Sequence, residues 1–209
     1  MAQSYLMVLV FAYLLGSIPV GFLAGRWWKG IDIREHGSGN IGSTNVLRLF
    51  GPLAAVLVLA ADVAKGSGGV WIGRTMAGGE TAAAFGGLAA IIGHVFPLFL
   101  GFRGGRGVAT ALGTALVLAP VPSAVALLLF ILIVALTRYV SLGSMTGTAA
   151  LLVTSMVTGS SLPAVSLFSL ATIFIFWRHV PNIKRLLAGT ENRLGSRSNP
   201  KARGGTHGP

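Results

Sequence analysis

Seven apolar runs, at about 4–25, 51–73, 81–100, 108–120, 122–137, 142–158 and 162–177, are separated by short loops that hold nearly all the cations. An α-helix needs roughly 17–25 mostly apolar residues to cross the hydrocarbon layer. Inside that layer each backbone polar group must be satisfied within the segment, which a helix does. The pattern predicts an all-α integral membrane protein, a compact bundle of about seven transmembrane helices. The fourth run is short, and Pro120 and Pro122 mark a turn after it. Composition agrees, with 53% hydrophobic and only 10% charged residues, because a soluble domain needs far more polar surface.

Charge tests the count. With seven crossings, four regions share one side: 26–50, 101–107, the Arg138–Tyr139 corner and everything from Arg178 onward. Together they carry fourteen of the sixteen Lys and Arg residues. Lys65 lies within a span, and only Arg74 falls in a loop on the other side. Positive loops stay cytoplasmic, so the N-terminus is expected outside and the C-terminus in the cytoplasm. A single kinked crossing over 108–137 would move the C-terminal cations opposite the first loop and erase the asymmetry.

The N-terminal run lacks the positive leader of a signal peptide, since its first cations, Arg26 and Lys29, follow the apolar stretch. It reads as an uncleaved first helix. Residues 1–194 read as a single transmembrane domain, and 195–209 as a basic, disordered cytoplasmic tail. The net charge is +11. Because the cations lie between apolar spans, it points to anionic lipids and small anionic substrates rather than nucleic acid. Without cysteine, disulfides, thiolate nucleophiles and Cys-bound metals are excluded.

Three loops carry polar chemistry. The first, GSGNIGSTNVLR from Gly37 to Arg48, combines small residues with Ser38, Asn40, Ser43, Thr44 and Asn45. Gly37, Gly39 and Gly42 match the spacing of the dinucleotide fingerprint, but a membrane helix precedes them and no βαβ unit is possible. The second, GFRGGRGVAT, sets four glycines around Arg103 and Arg106 directly after an apolar run. Glycine lets backbone N–H groups converge on an anion, and arginine grips phosphate through a bidentate fork. Gly107 to Thr110 is expected to open the fourth helix, with its positive dipole end facing the loop. The third loop, WRHVPNIKRLLAGTENR, holds His179, Asn182 and Glu191. A juxtamembrane amphipathic helix competes as the explanation for Lys184 and Arg185.

Asp62 and Lys65 stand one turn apart in the second span. They form either a bundle-stabilising ion pair or part of a polar cavity. His94 ends the third span, and His36 beside Glu35 is a weaker candidate. The scattered acids and four histidines show no metal-ligand spacing, so neither metal nor cofactor is expected. No G-x-S-x-G elbow occurs.

In SGNIGSTNVLR, DVAKG, GHVFPLFLGFRGGRGVATA and RHVPNIKRL, in that order, the chain resembles the bacterial membrane glycerol-3-phosphate acyltransferases that use acyl phosphate. The resemblance runs from residue 5 to 191. It implies a seven-helix bundle in the bacterial cytoplasmic membrane, with its motif loops on the cytoplasmic face. It also implies transfer of a fatty acyl group from a long-chain acyl phosphate to glycerol 3-phosphate, giving 1-acylglycerol 3-phosphate and phosphate, the first acylation of phospholipid synthesis. By position, Ser38, Asn40, Thr44, Asn45 and Arg48 match the first catalytic motif. Arg103, Gly104, Gly105, Arg106 and Gly107 match the segment that binds glycerol phosphate. His179 and Asn182 match the third motif, with Glu191 in a polar or structural role. The expected catalytic set is Ser38, Asn40, Asn45, Arg48, His179 and Asn182. The expected substrate-binding set is Thr44, Lys65, His94, Arg103, Gly104, Gly105, Arg106 and Gly107.

Two departures from the family stand out, one in the glycine–arginine loop and one at Ser43. The family commonly has lysine at 106, and often at 103, and it usually reads alanine at 43. Arginine keeps the charge but presents a planar fork in place of a compact ammonium. Acyl phosphate is a mixed anhydride with a good leaving group, so the reaction needs no enzyme nucleophile. The work is to hold two anions together and stabilise an oxyanion. No base stands out for the attacking hydroxyl, which points to a substrate phosphate oxygen as proton acceptor. The H-x4-D dyad of acyl-CoA-dependent enzymes is missing, because Ile41, Phe99 and Lys184 stand five residues beyond His36, His94 and His179. The alternative class is a transporter or channel for phosphorylated solutes. Against it, the motifs gather on one face and no repeat halves are visible. The enzyme is expected to act as a monomer.

Overall fold

In the computed structural model, residues 2–195 are described; apart from Gly195, the basic tail expected at 195–209 lies outside them. The regular structure among these residues is entirely helical. It comprises α1 (Ala2–Ser17), α2 (Val20–Lys29), α3 (Ser43–Phe50), α4 (Pro52–Met76), α5 (Gly79–Val95) and α6 (Val108–Leu118). These are followed by α7 (Pro120–Thr137), α8 (Val140–Val157), α9 (Leu162–Arg178) and α10 (Val180–Leu187). Proline occupies the first turn of α4, α7, α9 and α10, where its missing N–H leaves no bond unmade. Pro19 acts differently. It divides the first apolar run into α1 and α2 and releases the carbonyls of the preceding turn.

Five segments are long and apolar enough to cross a membrane: Ala2–Lys29, Pro52–Met76, Gly79–Leu100, Pro120–Thr137 and Val140–Val157. The pair Leu162–Arg178 and Val180–Leu187, bent by 54°, makes a sixth when taken as one span. The run expected at 108–120 differs. Its helix has 11 residues and is about 16 Å long, half of a hydrocarbon layer of about 30 Å. The reason is where it starts. A β-carbon on Gly66, in the middle of α4, would overlap the Thr110 carbonyl, and one on Gly113 would overlap that of Val63. The N-terminus of α6 is therefore sunk to the middle of α4.

Other helices meet through small residues in the same way, Gly16 on Ala90, Gly69 on Gly86 and Gly73 on Ala82. Such close backbone approach is how membrane helices gain packing where no hydrophobic drive separates helix from lipid. One core gathers Ile91, Ala115, Leu167, Phe168 and Ile175 from α5, α6 and α9. A second packs Ile33, Ile41, Val46 and Val58 together, which seats the first polar loop and α3 on α4. The ends of α2, α5, α7 and α9 and the starts of α3, α4, α6, α8 and α10 thus lie toward one end of the bundle.

Candidate active site

Asn45 organises the first loop. Its Oδ1 accepts from the Ser38 N–H at 2.8 Å, and its Nδ2 donates to the carbonyls of Ile33, His36 and Asn40. The side chain is 1% exposed and spends its amide on the backbone. Gly37 turns at φ 61°, and a β-carbon there would strike Asn45 Oδ1. The loop so held presents Ser38 and Asn40 beside the start of α3. That helix is capped by Gly42 with no side-chain bond, which leaves its first N–H groups for a ligand.

The glycines of the second loop do a different job from the one their composition suggests. The N–H groups of Gly104 and Gly105 are already bonded, to the carbonyls of Val95 at 3.1 Å and His94 at 3.0 Å. Their missing side chains make room: a β-carbon on Gly104 would overlap the His94 carbonyl, and one on Gly105 the His94 imidazole. Arg178 clamps the same stretch from α9, donating to the carbonyls of Gly105 at 3.2 Å and Gly104 at 2.9 Å. Gly107, at φ 85°, caps α6 with no side-chain bond, so a second open helix N-terminus meets the first.

The third loop closes the site. His179, 1% exposed, has Nδ1 2.7 Å from the Ile175 carbonyl. A carbonyl only accepts, so this contact assigns the proton of the neutral ring to Nδ1 and leaves Nε2 an acceptor. Glu191 takes hydrogen bonds from Asn182 Nδ2 at 2.6 Å, Ser141 Oγ at 2.8 Å and Arg185 Nε at 2.7 Å. Asn182 Oδ1 is buried without a donor.

These loops enclose a polar cavity of about 80 Å³. Of the expected site residues, Ser38, Asn40, Thr44, Asn45, Arg48, His94, Arg106, Gly107, His179 and Asn182 line it. Lys65, Arg103, Gly104 and Gly105 do not. Arg103 is exposed. Lys65 is buried behind the wall, its Nζ 2.8 Å from Asp62 Oδ1, 2.8 Å from the Ile18 carbonyl and 3.3 Å from that of Gly16. Two of these contacts are to carbonyls freed by the break at Pro19.

Arg48 and Arg106 have no carboxylate within ion-pair distance among the described residues. Burial pushes the Arg106 guanidinium down to about 10; Glu191 opposes the shift, and Arg185, Arg48 and Arg178 add to it. Burial lowers Arg48 too, against the pull of Glu191. Such a cluster of partly desolvated cations is costly while empty and favourable once an anion binds. For Glu191, burial works upward, but the bonds from Asn182, Arg185 and Ser141 outweigh it and hold the carboxylate below its ordinary range.

Ser43, Thr44, Val108, Ala109, Val140 and Ser144 belong both to the cavity and to an apolar groove of about 490 Å³ between α4, α6, α7 and α8. The groove runs down past Leu59, Leu112, Ala126 and Leu151. Sequence reasoning missed Ser141 and Ser144, whose spacing of one helical turn on α8 was the available signal, and left Arg185 divided between lipid anchoring and the site although it stands one turn from Asn182. Among the described residues no three His, Asp or Glu side chains gather to hold a metal.

A family model described as glycerol-3-phosphate acyltransferase matches residues 6–189. The glycerol-3-phosphate acyltransferase of Thermus thermophilus is 47% identical, over 90% of this chain and 94% of its own. That of Synechococcus sp. strain CC9902 is 44% identical, over 94% and 98%. A solved structure of PlsY, an integral membrane glycerol 3-phosphate acyltransferase in its glycerol 3-phosphate form, superposes with a TM-score of 0.87 at 40% identity, covering 92% of this chain and 96% of that one. Its lysophosphatidic acid form gives 0.84 at 39% identity. With these matches running through all three loops of the cavity, the chain belongs to the glycerol-3-phosphate acyltransferase family.

Proposed function

We propose that the protein transfers a fatty acyl group from acyl phosphate to glycerol 3-phosphate, releasing 1-acylglycerol 3-phosphate and inorganic phosphate. One observation carries this: a cavity with two carboxylate-free arginines and two glycine-capped helix N-termini opens directly into an apolar groove. The cavity suits two phosphates, and the groove suits the acyl chain. Their shared residues, Ser43, Thr44, Val108, Ala109, Val140 and Ser144, fall where the reacting carbonyl would sit.

In this reading a glycerol hydroxyl oxygen attacks the acyl carbon, the acyl–phosphate C–O bond breaks, and the hydroxyl proton passes to a phosphate oxygen. Arg48, Arg106 and the helix N-termini neutralise the two anions and the developing oxyanion. Acceptance by substrate fits the histidines. His94 Nδ1 is engaged by Lys65 and Asp62, at 3.3 Å and 3.5 Å, and its far edge packs on Gly105. His179 Nε2 is an acceptor suited to orienting a hydroxyl. Substrate assistance fails if His94→Ala or His179→Ala abolishes turnover while both substrates still bind.

The reaction belongs to the cytoplasmic face of the bacterial inner membrane, among anionic lipids. The test is purified protein with glycerol 3-phosphate and, separately, acyl phosphate, acyl-CoA and acylated carrier protein. Product with acyl phosphate is expected; product with acyl-CoA alone overturns the proposal. Uptake of glycerol 3-phosphate into liposomes without acylation would instead support a transporter.

A further inference from the structure

Two acids line the cavity, and they are not equivalent. Both oxygens of Glu191 are taken, Oε1 by Ser141 and Asn182 and Oε2 by Arg185. Asp62 is bonded on one side only. Lys65 Nζ lies 2.8 Å and His94 Nδ1 3.5 Å from the same oxygen, Oδ1. Neither partner's shortest contact is to Oδ2. Nor is it one of the side-chain atoms sealed off without a partner, which are Ser17 Oγ, Thr110 Oγ1 and Asn182 Oδ1. Asp62 is 2% exposed and lines the cavity, so its carboxylate forms part of the wall, held on the Oδ1 side by Lys65.

A carboxylate at a phosphate site is an electrostatic liability unless it has a use. Intramembrane charge is expensive, and a buried acceptor left without a donor adds to the expense. Here Lys65 offsets the charge from behind. It is itself fixed by the carbonyls of Gly16 and Ile18, so the neutralising ammonium cannot swing into the cavity. What remains facing the ligand is an oriented acceptor with no positive partner on its open side. An acceptor of that kind recognises a donor and repels a phosphate.

We propose that Asp62 is a substrate-recognising residue whose Oδ2 accepts a hydrogen bond from a hydroxyl of the polyol phosphate, with Lys65 and His94 as the residues that hold it in place. This rests on the proposed function and refines it. Glycerol 3-phosphate binds with its phosphate toward Arg48 and Arg106 and a hydroxyl toward α4, so the cavity selects a hydroxylated phosphate over a plain alkyl phosphate.

The test compares glycerol 3-phosphate with propyl phosphate, which keeps the phosphate and carbon stem but has no hydroxyl. Affinities are measured by calorimetry on the full chain in detergent, without acyl donor. In Asp62→Ala the preference for glycerol 3-phosphate over propyl phosphate is expected to fall about tenfold, the size of one hydrogen bond to a charged group. Using the ratio cancels the general gain in positive charge. If Lys65, buried and left without its counter-ion, prevents folding, the double variant Asp62→Ala/Lys65→Met removes both charges and should show the same fall. A ratio unchanged in whichever variant folds overturns the proposal, because a merely structural role moves both ligands together. The ratio is independent of turnover. Wild-type protein that binds glycerol 3-phosphate but transfers no acyl group would remove the proposed function and leave this test standing.

Discussion

At the scale of single residues, Arg106 lines the cavity at a position where the resemblance leads one to expect lysine, and its environment says what such a change does. A guanidinium starts so high that burial among Arg48, Arg178 and Arg185 leaves it at about 10 and still charged at neutral pH. A lysine starts from about 10.4, so the same surroundings would bring its titration closer to neutrality. Arg106→Lys should therefore bind glycerol 3-phosphate near neutral pH but lose kcat/KM at a lower pH than wild type. Coincident alkaline limbs would refute this. Glu191 carries the opposite sign. Its folded pKa is depressed, so its contribution is complete above the ordinary carboxylate pKa and vanishes as pH falls through the folded value. Glu191→Gln should lower stability by about 1–2 kcal/mol at neutral pH, and thermal unfolding should show the deficit closing in acid. The residue types were legible in the sequence, but their duties were less so. Asn45 reads as catalytic from its motif, yet all of its amide goes to the backbone, and no spacing rule reports which carbonyls a folded loop will offer.

At the scale of elements, the glycine–arginine loop shows why composition misleads. A cradle of bare N–H groups and a strip pressed against a helix end ask for the same residue, and only the partner distinguishes them. Here the partner is the end of α5, with the His94 ring against Gly105. That ring cannot yield easily, since Asp62 and Lys65 hold its other edge. Gly105→Ala should therefore push the loop outward and carry Arg106 with it. We expect helix content to be unchanged by circular dichroism while kcat/KM for glycerol 3-phosphate drops about a hundredfold, the scale of a 1 Å misplacement. Near-normal kinetics would mean that the loop yields without moving Arg106. The open N-terminus of α6 was legible from Gly107 onward. The shortness of the run showed in the sequence as well, but the depth at which the helix starts did not, because that is set by contact with Gly66 of α4.

At the scale of the whole molecule, hydropathy and charge together predict an odd number of crossings, while length alone finds five segments, or six with the bent pair. The difference turns on α6. If α6 and the loop that leads down to it complete a crossing, α7 returns toward the site end and the first and last described segments lie on opposite faces. If they do not, those segments share a face. The missing cysteines make the test clean, because each introduced thiol is the only one in the protein. Gln3, before the first apolar stretch, and Lys184, on α10, are both exposed. In intact cells, Gln3→Cys should react with a membrane-impermeant maleimide, and Lys184→Cys should react only after the membrane is opened. Labelling of both from outside, or of neither, would mean an even number of crossings. That result would detach the cation-rich loops from a common cytoplasmic face. It would also conflict with the cavity, whose walls come from the first loop, the second loop and the segment around α10 and must therefore lie on one side of the membrane.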